Sequence, residues 1–118
     1  MAAIVMIGTL DTKGRQIQFV KEQIETRGHS VIIMDNSTRH EPPIKGDITC
    51  DEIASAAGVS IEELRRSKER AKITSVMTEG TIRKAKELLS AGKLDAIMSL
   101  GGATAATVAT TVMKALPF

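Results

Sequence analysis

Apolar residues along the chain fall into three short runs of the kind that form buried strands: residues 2–7, 31–34 and 96–100. The first run is apolar throughout and stops at Gly8, and the second stops at Asp35. A continuous apolar run is typical of a strand covered on both faces of a parallel sheet. The pattern therefore predicts three parallel strands.

Between and after these runs, apolar residues recur three or four positions apart, which is the spacing of a helix with one buried face. One such helix follows the first strand and ends at Gly28. A second covers about 73–91 and ends at Gly92, and a third, rich in small residues, covers 104–116 and is ended by Pro117. Glycine after a helix and proline beyond it are common stop signals.

The segment from about 49 to 70 predicts a small helical insert. Thr49 with Glu52, and Ser60 with Glu63, both have the spacing of a capping box. We expect two short helices there.

This order of elements predicts an α/β domain of the doubly wound class, Rossmann-like or flavodoxin-like, with three α/β/α layers and a parallel sheet. The expected strand order is 2-1-3, with the topological switch point between the first and third strands. Residues 1–118 would form a single domain, and one that is incomplete, because three strands make a small sheet with an open edge. We therefore expect a homo-oligomer, in which the stripe of Val108, Val112 and Leu116 packs against a second copy.

Composition narrows the possible functions. Two Phe, no Trp and no Tyr argue against a stacking platform for single-stranded nucleic acid. A net charge of +2 is too balanced to predict polyanion binding by itself. Cys50 is the only cysteine, so no intrachain disulfide forms, and no stretch is apolar enough to span a membrane. We expect a cytoplasmic protein with no membrane partner.

Two glycine-bearing loops follow predicted strands and precede predicted helices. The first offers Gly8, Thr9, Asp11, Thr12 and Lys13, and the second offers Gly101, Gly102, Ala103 and Thr104. A strand that hands over to a helix through glycine presents backbone N–H groups and a helix N-terminus to an anion. If the two strands are neighbours, both loops face one crevice, which predicts a phosphate site.

Each loop also has a plainer interpretation. The first does not match the spacing of a Walker A loop or of a G-x-G-x-x-G fingerprint, so it can be a simple turn with Asp11 as helix cap and Lys13 in solvent. Gly101 and Gly102 can serve only to let a helix pack closely on the sheet. The coincidence of two such loops at one switch point favours a ligand site.

Other candidate chemistry is sparse. Asp35 ends the second strand, where dinucleotide-binding folds place an acid on the ribose. No general base or nucleophile is placed, so we assign no catalytic residue, and no metal-ligand cluster has usable spacing.

Residues 52–72 allow a rival interpretation as a helix-turn-helix that binds DNA. Its second helix is followed by a basic series: Arg65, Arg66, Lys68, Arg70 and Lys72. The sequence of that second helix argues against DNA binding, because it begins Ile61-Glu62-Glu63 and would place two carboxylates next to DNA phosphates. We therefore do not expect a nucleic-acid partner.

Several motifs together resemble a known family: residues 7–14, 28–29, 56–60, 100–102 and 113–117. They resemble the UPF0261 family, the ATP-binding-domain family of the tomato mosaic virus replication inhibitor. The resemblance implies an amino-terminal α/β nucleotide-binding unit followed by a second, barrel-like domain. We therefore expect a partial first domain that binds ATP, with the second domain or another subunit as a partner.

A nucleotide site would give each loop a role. Backbone N–H groups of both loops would hold the nucleotide, with Lys13 on a phosphate and Thr12 or Thr104 as hydroxyl donors, while Asp11 would be either a helix cap or a neighbour of Mg²⁺. Hydrolysis is not predicted. The family's second loop carries a further glycine pair where this chain has Thr104 and Ala105. That departure supports an alternative, an interaction or oligomerisation module that has lost ligand binding.

Overall fold

The computed structural model describes residues 1–38, 42 and 44–117, and the side chains of Ala103 and Thr104 lie outside that description. Its elements alternate as the sequence predicts: β1 (Ala3–Gly8), α1 (Leu10–Glu25), β2 (Ser30–Asp35), α2 (Cys50–Ala56), α3 (Ile61–Arg66), α4 (Arg70–Ser90), β3 (Ala96–Leu100) and α5 (Ala103–Ala115). The last helix before β3 begins three residues earlier than predicted, at Arg70 rather than at 73.

The three strands form one parallel sheet in the order β2-β1-β3. In this register Gly8 at the end of β1 lies beside Asp35 of β2 and beside Leu100 of β3. The predicted fold class and strand order are confirmed. The switch point lies where β1 meets β3, so the residues that follow these two strands lie at one edge of the sheet.

Helices cover the two faces of the sheet unequally. Helix α1 packs on one face, over a small core that includes Met6, Ile17 and Ile33. On the other face α2, α4 and α5 enclose a larger core that reaches from Val5 to Val112. Three layers result, with the helical insert on the more heavily covered side.

The insert docks on α4 through a close backbone approach. A Cβ at Gly80 would lie 2.0 Å from the carbonyl oxygen of Ile53, so only glycine lets α2 lie this near α4. The predicted caps also form, because the hydroxyls of Thr49 and Ser60 each accept a hydrogen bond, at 3.2 Å, from the N–H three residues later. The insert is thus fixed in place beside the sheet.

The outer edge of β2 is covered by the chain itself. Residues 46–48 run beside it, with Ile48 bridged in parallel to Met34. The Asp47 carboxylate accepts a hydrogen bond of 2.8 Å from the N–H of Ile33, and the Ile48 carbonyl accepts one of 2.9 Å from the N–H of Asp35. In the described residues, β3 has a strand partner only on its β1 side.

The apolar stripe of α5 is not where the sequence analysis put it. Val108, Val112 and Leu116 are buried in the larger core, against α4 and the sheet. The expectation that this stripe contacts a second copy was therefore wrong, because α4 already covers it. Among the described residues, no helix combines the length and the apolar character needed to cross a membrane.

Candidate functional site

A cleft of about 1520 Å³ opens at the carboxyl ends of β1 and β3. Both glycine loops reach it: Gly8, Thr9, Asp11 and Thr12 line it from the first, and Gly102 lines it from the second. The structure therefore brings together five of the ten residues that were predicted to form the site. Lys13, Asp35 and Gly101 do not line this cleft.

The first loop is held by hydrogen bonds to the end of β2. The N–H of Leu10 donates to a carboxylate oxygen of Asp35 at 3.1 Å, and the N–H of Asp11 donates to the hydroxyl of Ser37 at 2.9 Å. The N–H of Asn36 donates to the carbonyl of Gly8 at 2.8 Å. Residues 35–37 thus cap the start of α1, and two of its first N–H groups are already engaged.

This capping differs from the expectation that Asp11 caps the helix. The N-cap residue is Thr9, whose side chain makes no capping bond, and its hydroxyl lies 2.8 Å from that of Thr12. A kink follows, since Lys13 has non-helical backbone angles (φ −124°, ψ 20°). The loop is therefore one tight turn, closed by hydrogen bonds from the N–H groups of Thr12 and Lys13 to the Thr9 carbonyl, before the regular helix.

Asp35 lies beneath this turn, with 1% of its surface exposed. One of its carboxylate oxygens accepts hydrogen bonds from the N–H groups of Leu10 and Ser37 and from the Ser37 hydroxyl. Burial raises the pKa of this carboxyl above its ordinary value of 3.8, while the hydrogen bonds from Ser37 and Leu10 oppose that shift. The observed role of Asp35 is to position the loop.

Glycine is required in the first loop for space and not for an unusual backbone turn. Among the described residues, the backbone angle φ is positive at Gly28, Gly58 and Gly92, and it is not positive at Gly8. A Cβ at Gly8 would lie 2.5 Å from the Cδ1 atom of Ile17 and 3.2 Å from the carbonyl oxygen of Leu100. Gly8 thus lets α1 and β3 lie close to the end of β1.

The second loop is more open. Gly102 is the N-cap of α5 and is exposed, and no atom that the structure describes lies within 4 Å of where its Cβ would be. A Cβ at Gly101 would lie 2.5 Å from that of Ala105. Having no side chain, Gly102 cannot cap the helix as Thr49 and Ser60 cap theirs. The predicted contributions of the Ala103 and Thr104 side chains fall outside the described residues.

A second wall of the cleft, formed by the end of α3 and the first half of α4, was not predicted from the sequence. Arg65, Lys68 and Arg70 line it, together with α4 hydroxyls such as Thr74 and Thr78. The signal was present as the basic series at 65–72, which the helix-turn-helix interpretation assigned to DNA. That interpretation requires an exposed recognition helix, whereas α3 has six residues and buries Ile61 and Leu64.

The described residues contain no group of three His, Cys, Asp or Glu side chains that could hold a metal ion by themselves. Cys50 is buried, as expected for a thiol without a chemical role, and burial raises its pKa to about 11. His29 accepts a hydrogen bond of 2.9 Å from the N–H of Ala2 and lies away from the cleft edge of the sheet. The arrangement offers a binding cleft with cationic, hydroxyl and apolar walls.

Comparison with known proteins places the chain in a family. A family model described as the N-terminal domain of the uncharacterised protein family UPF0261 matches residues 2–118. A UPF0261 protein of Clostridium tetani is 35% identical over 113 residues, which are 96% of this chain and 28% of that protein. One from Brucella suis is 29% identical over 114 residues, or 97% of this chain and 27% of that protein. The chain thus spans a little over a quarter of the length of these relatives, and it belongs to the UPF0261 family as its N-terminal domain.

Proposed function

We propose that this domain binds a nucleotide, ATP with Mg²⁺, in the cleft between β1 and β3. One observation carries the proposal: residues of both glycine loops line a single cleft at the topological switch point, namely Gly8, Thr9, Asp11 and Thr12 from the first and Gly102 from the second. In open α/β sheets this crevice is where ligands bind. The volume, about 1520 Å³, leaves room for a nucleotide.

Within the cleft, the start of α5 is the better phosphate position. The N–H groups of Leu10 and Asp11 donate to Asp35 and Ser37, so both already have acceptors within the protein and are not available to bind a phosphate. Gly102 offers an exposed, uncrowded backbone at a helix N-terminus. In this proposal the phosphate chain lies against Gly102, and the Thr9 and Thr12 hydroxyls face it from the first loop.

Asp11 lines the cleft and carries the carboxylate that would hold Mg²⁺ beside the phosphates. No residue is assigned to hydrolysis. We also infer that the domain works in the cytoplasm, where ATP is available, and as a homo-oligomer or together with the remaining part of the relatives' longer chain.

The test replaces Gly102 with aspartate. An aspartate N-cap is favourable for a helix, so Gly102→Asp should leave the free energy of unfolding within about 0.5 kcal/mol of the original chain. It also places a carboxylate where the phosphate would lie, so ATP affinity should fall by tenfold or more. Calorimetry with ATP and Mg²⁺ measures the affinity, and urea unfolding measures the stability.

Gly102→Asn is the matched control, since it has the same shape without the charge and should lose less affinity than Gly102→Asp. Equal ATP affinity in the original chain, Gly102→Asp and Gly102→Asn would show that no phosphate binds at Gly102. If the original chain gives neither heat nor a thermal shift with ATP, the proposal fails and the interaction-module alternative takes its place.

A further inference from the structure

The connection between α3 and α4, together with the first residue of α4, brings two basic side chains to the cleft that the glycine loops line. Ser67, Lys68 and Arg70 line the cleft there, while Gly8 and Gly102 line it from the sheet. The neighbouring basic residues Arg66 and Lys72, on the same stretch of chain, do not line it. Of these four basic residues, Lys68 and Arg70 therefore lie at the cleft, and Arg66 and Lys72 lie on the surface outside it.

Within the described part of the chain, Lys68 and Arg70 form no salt bridge and no side-chain hydrogen bond. Some basic side chains elsewhere on the molecule do form salt bridges, as in Lys21 with Asp47 at 3.9 Å and Arg83 with Glu79 at 2.8 Å. The first turn of α4 contains no acidic residue, and Glu69, the N-cap residue between Lys68 and Arg70, forms no salt bridge with either in the described part of the chain. The ammonium and guanidinium groups therefore remain available to an anion in the cleft.

We propose that Lys68 and Arg70 bind the terminal phosphates of a nucleoside polyphosphate, so that the site selects its ligand by phosphate number. This inference rests on the proposed function, and it adds that the phosphate chain extends from Gly102 to the wall formed by α3 and α4. Phosphate oxygens form charge-assisted hydrogen bonds with both side chains, and arginine can form two at once. A single phosphate held at Gly102 would leave this wall without a ligand group, whereas a chain of phosphates can contact both walls.

The experiment compares AMP, ADP and ATP, each with Mg²⁺, by calorimetry on the 118-residue chain. In the original chain affinity should rise with each added phosphate. In Lys68→Ala and Arg70→Ala the affinity for ATP should fall about tenfold, while that for AMP stays within about twofold. The double variant should bind the three nucleotides with nearly equal affinity.

Arg66→Ala and Lys72→Ala are the matched controls, because they remove the same charge from the same segment without changing the cleft. They should keep the full gain from AMP to ATP. An equal loss of ATP affinity in the controls would overturn the inference, since it would indicate a general effect of net charge. Retention of the gain in the double variant would also overturn it while leaving the proposed function standing. If none of the three nucleotides binds the original chain, the proposed function fails first and the inference fails with it.

Discussion

The two glycine loops look alike in the sequence and differ in how they are held. The first loop is held by the residues that end and follow β2. Asp35 and Ser37 accept hydrogen bonds from the first N–H groups of α1, and the N–H of Asn36 donates to the carbonyl of Gly8. The second starts α5 from an exposed Gly102 that cannot cap it. The same local pattern thus gives one structural turn and one helix start that is open to a ligand. The difference comes from the end of β2, since residues 35–37 reach only the first loop.

The largest expected effect comes from breaking the cap of the first loop. Asp35→Ala removes the acceptor for two backbone N–H groups and a hydroxyl in a buried place, so the free energy of unfolding should fall by about 3 kcal/mol. Urea unfolding measures the change. Asp35→Asn keeps a side-chain oxygen and should lose clearly less. Equal losses in the two variants would mean that volume, and not hydrogen bonding, makes Asp35 important.

A smaller effect should distinguish the two glycines. The Cβ of Gly8→Ala would meet the buried Ile17 side chain and the backbone of Leu100, so the free energy of unfolding should fall by about 2 kcal/mol. Gly102→Ala meets nothing within 4 Å and should change it by about 0.5 kcal/mol or less. Thermal and urea unfolding of both variants would check this. Similar losses would remove the contrast between the loops.

The smallest effect is a pH dependence that belongs to the first loop alone. Because burial raises the pKa of Asp35, the folded chain keeps this proton to a higher pH than the unfolded chain does. The contribution of Asp35 to stability is therefore greatest in acid, and it falls as pH rises from about 3.8 through the raised pKa. The free energy of unfolding of the original chain minus that of Asp35→Asn should fall over this range. A difference that grows with pH would contradict the burial argument.

Local patterns were enough to predict the fold. Apolar runs and glycine stops located the strands, and the caps at Thr49 and Ser60 located the insert, because these signals act within a few residues. The site was predicted only in part. That Asp35 lies under α1, and that Lys68 and Arg70 line the same cleft as Gly102, depends on contacts between distant segments, which no local pattern encodes. The burial of Val108 by α4 was missed for the same reason.

The segment beside β2 makes the two edges of the sheet unequal, because it pairs with β2 while β3 has no such partner among the described residues. Residues 46–48 hydrogen-bond to Ile33 and Asp35 at the outer edge of β2, and the Asp47 carboxylate accepts the N–H of Ile33 that an incoming strand would need. Unpaired edges are where a sheet recruits further strands, whether from its own chain or from another molecule. Among the described residues, β3 is the edge at which a further strand could pair. Such a strand would lie next to Ala96–Leu100, near the glycine loop that begins α5 and reaches the cleft.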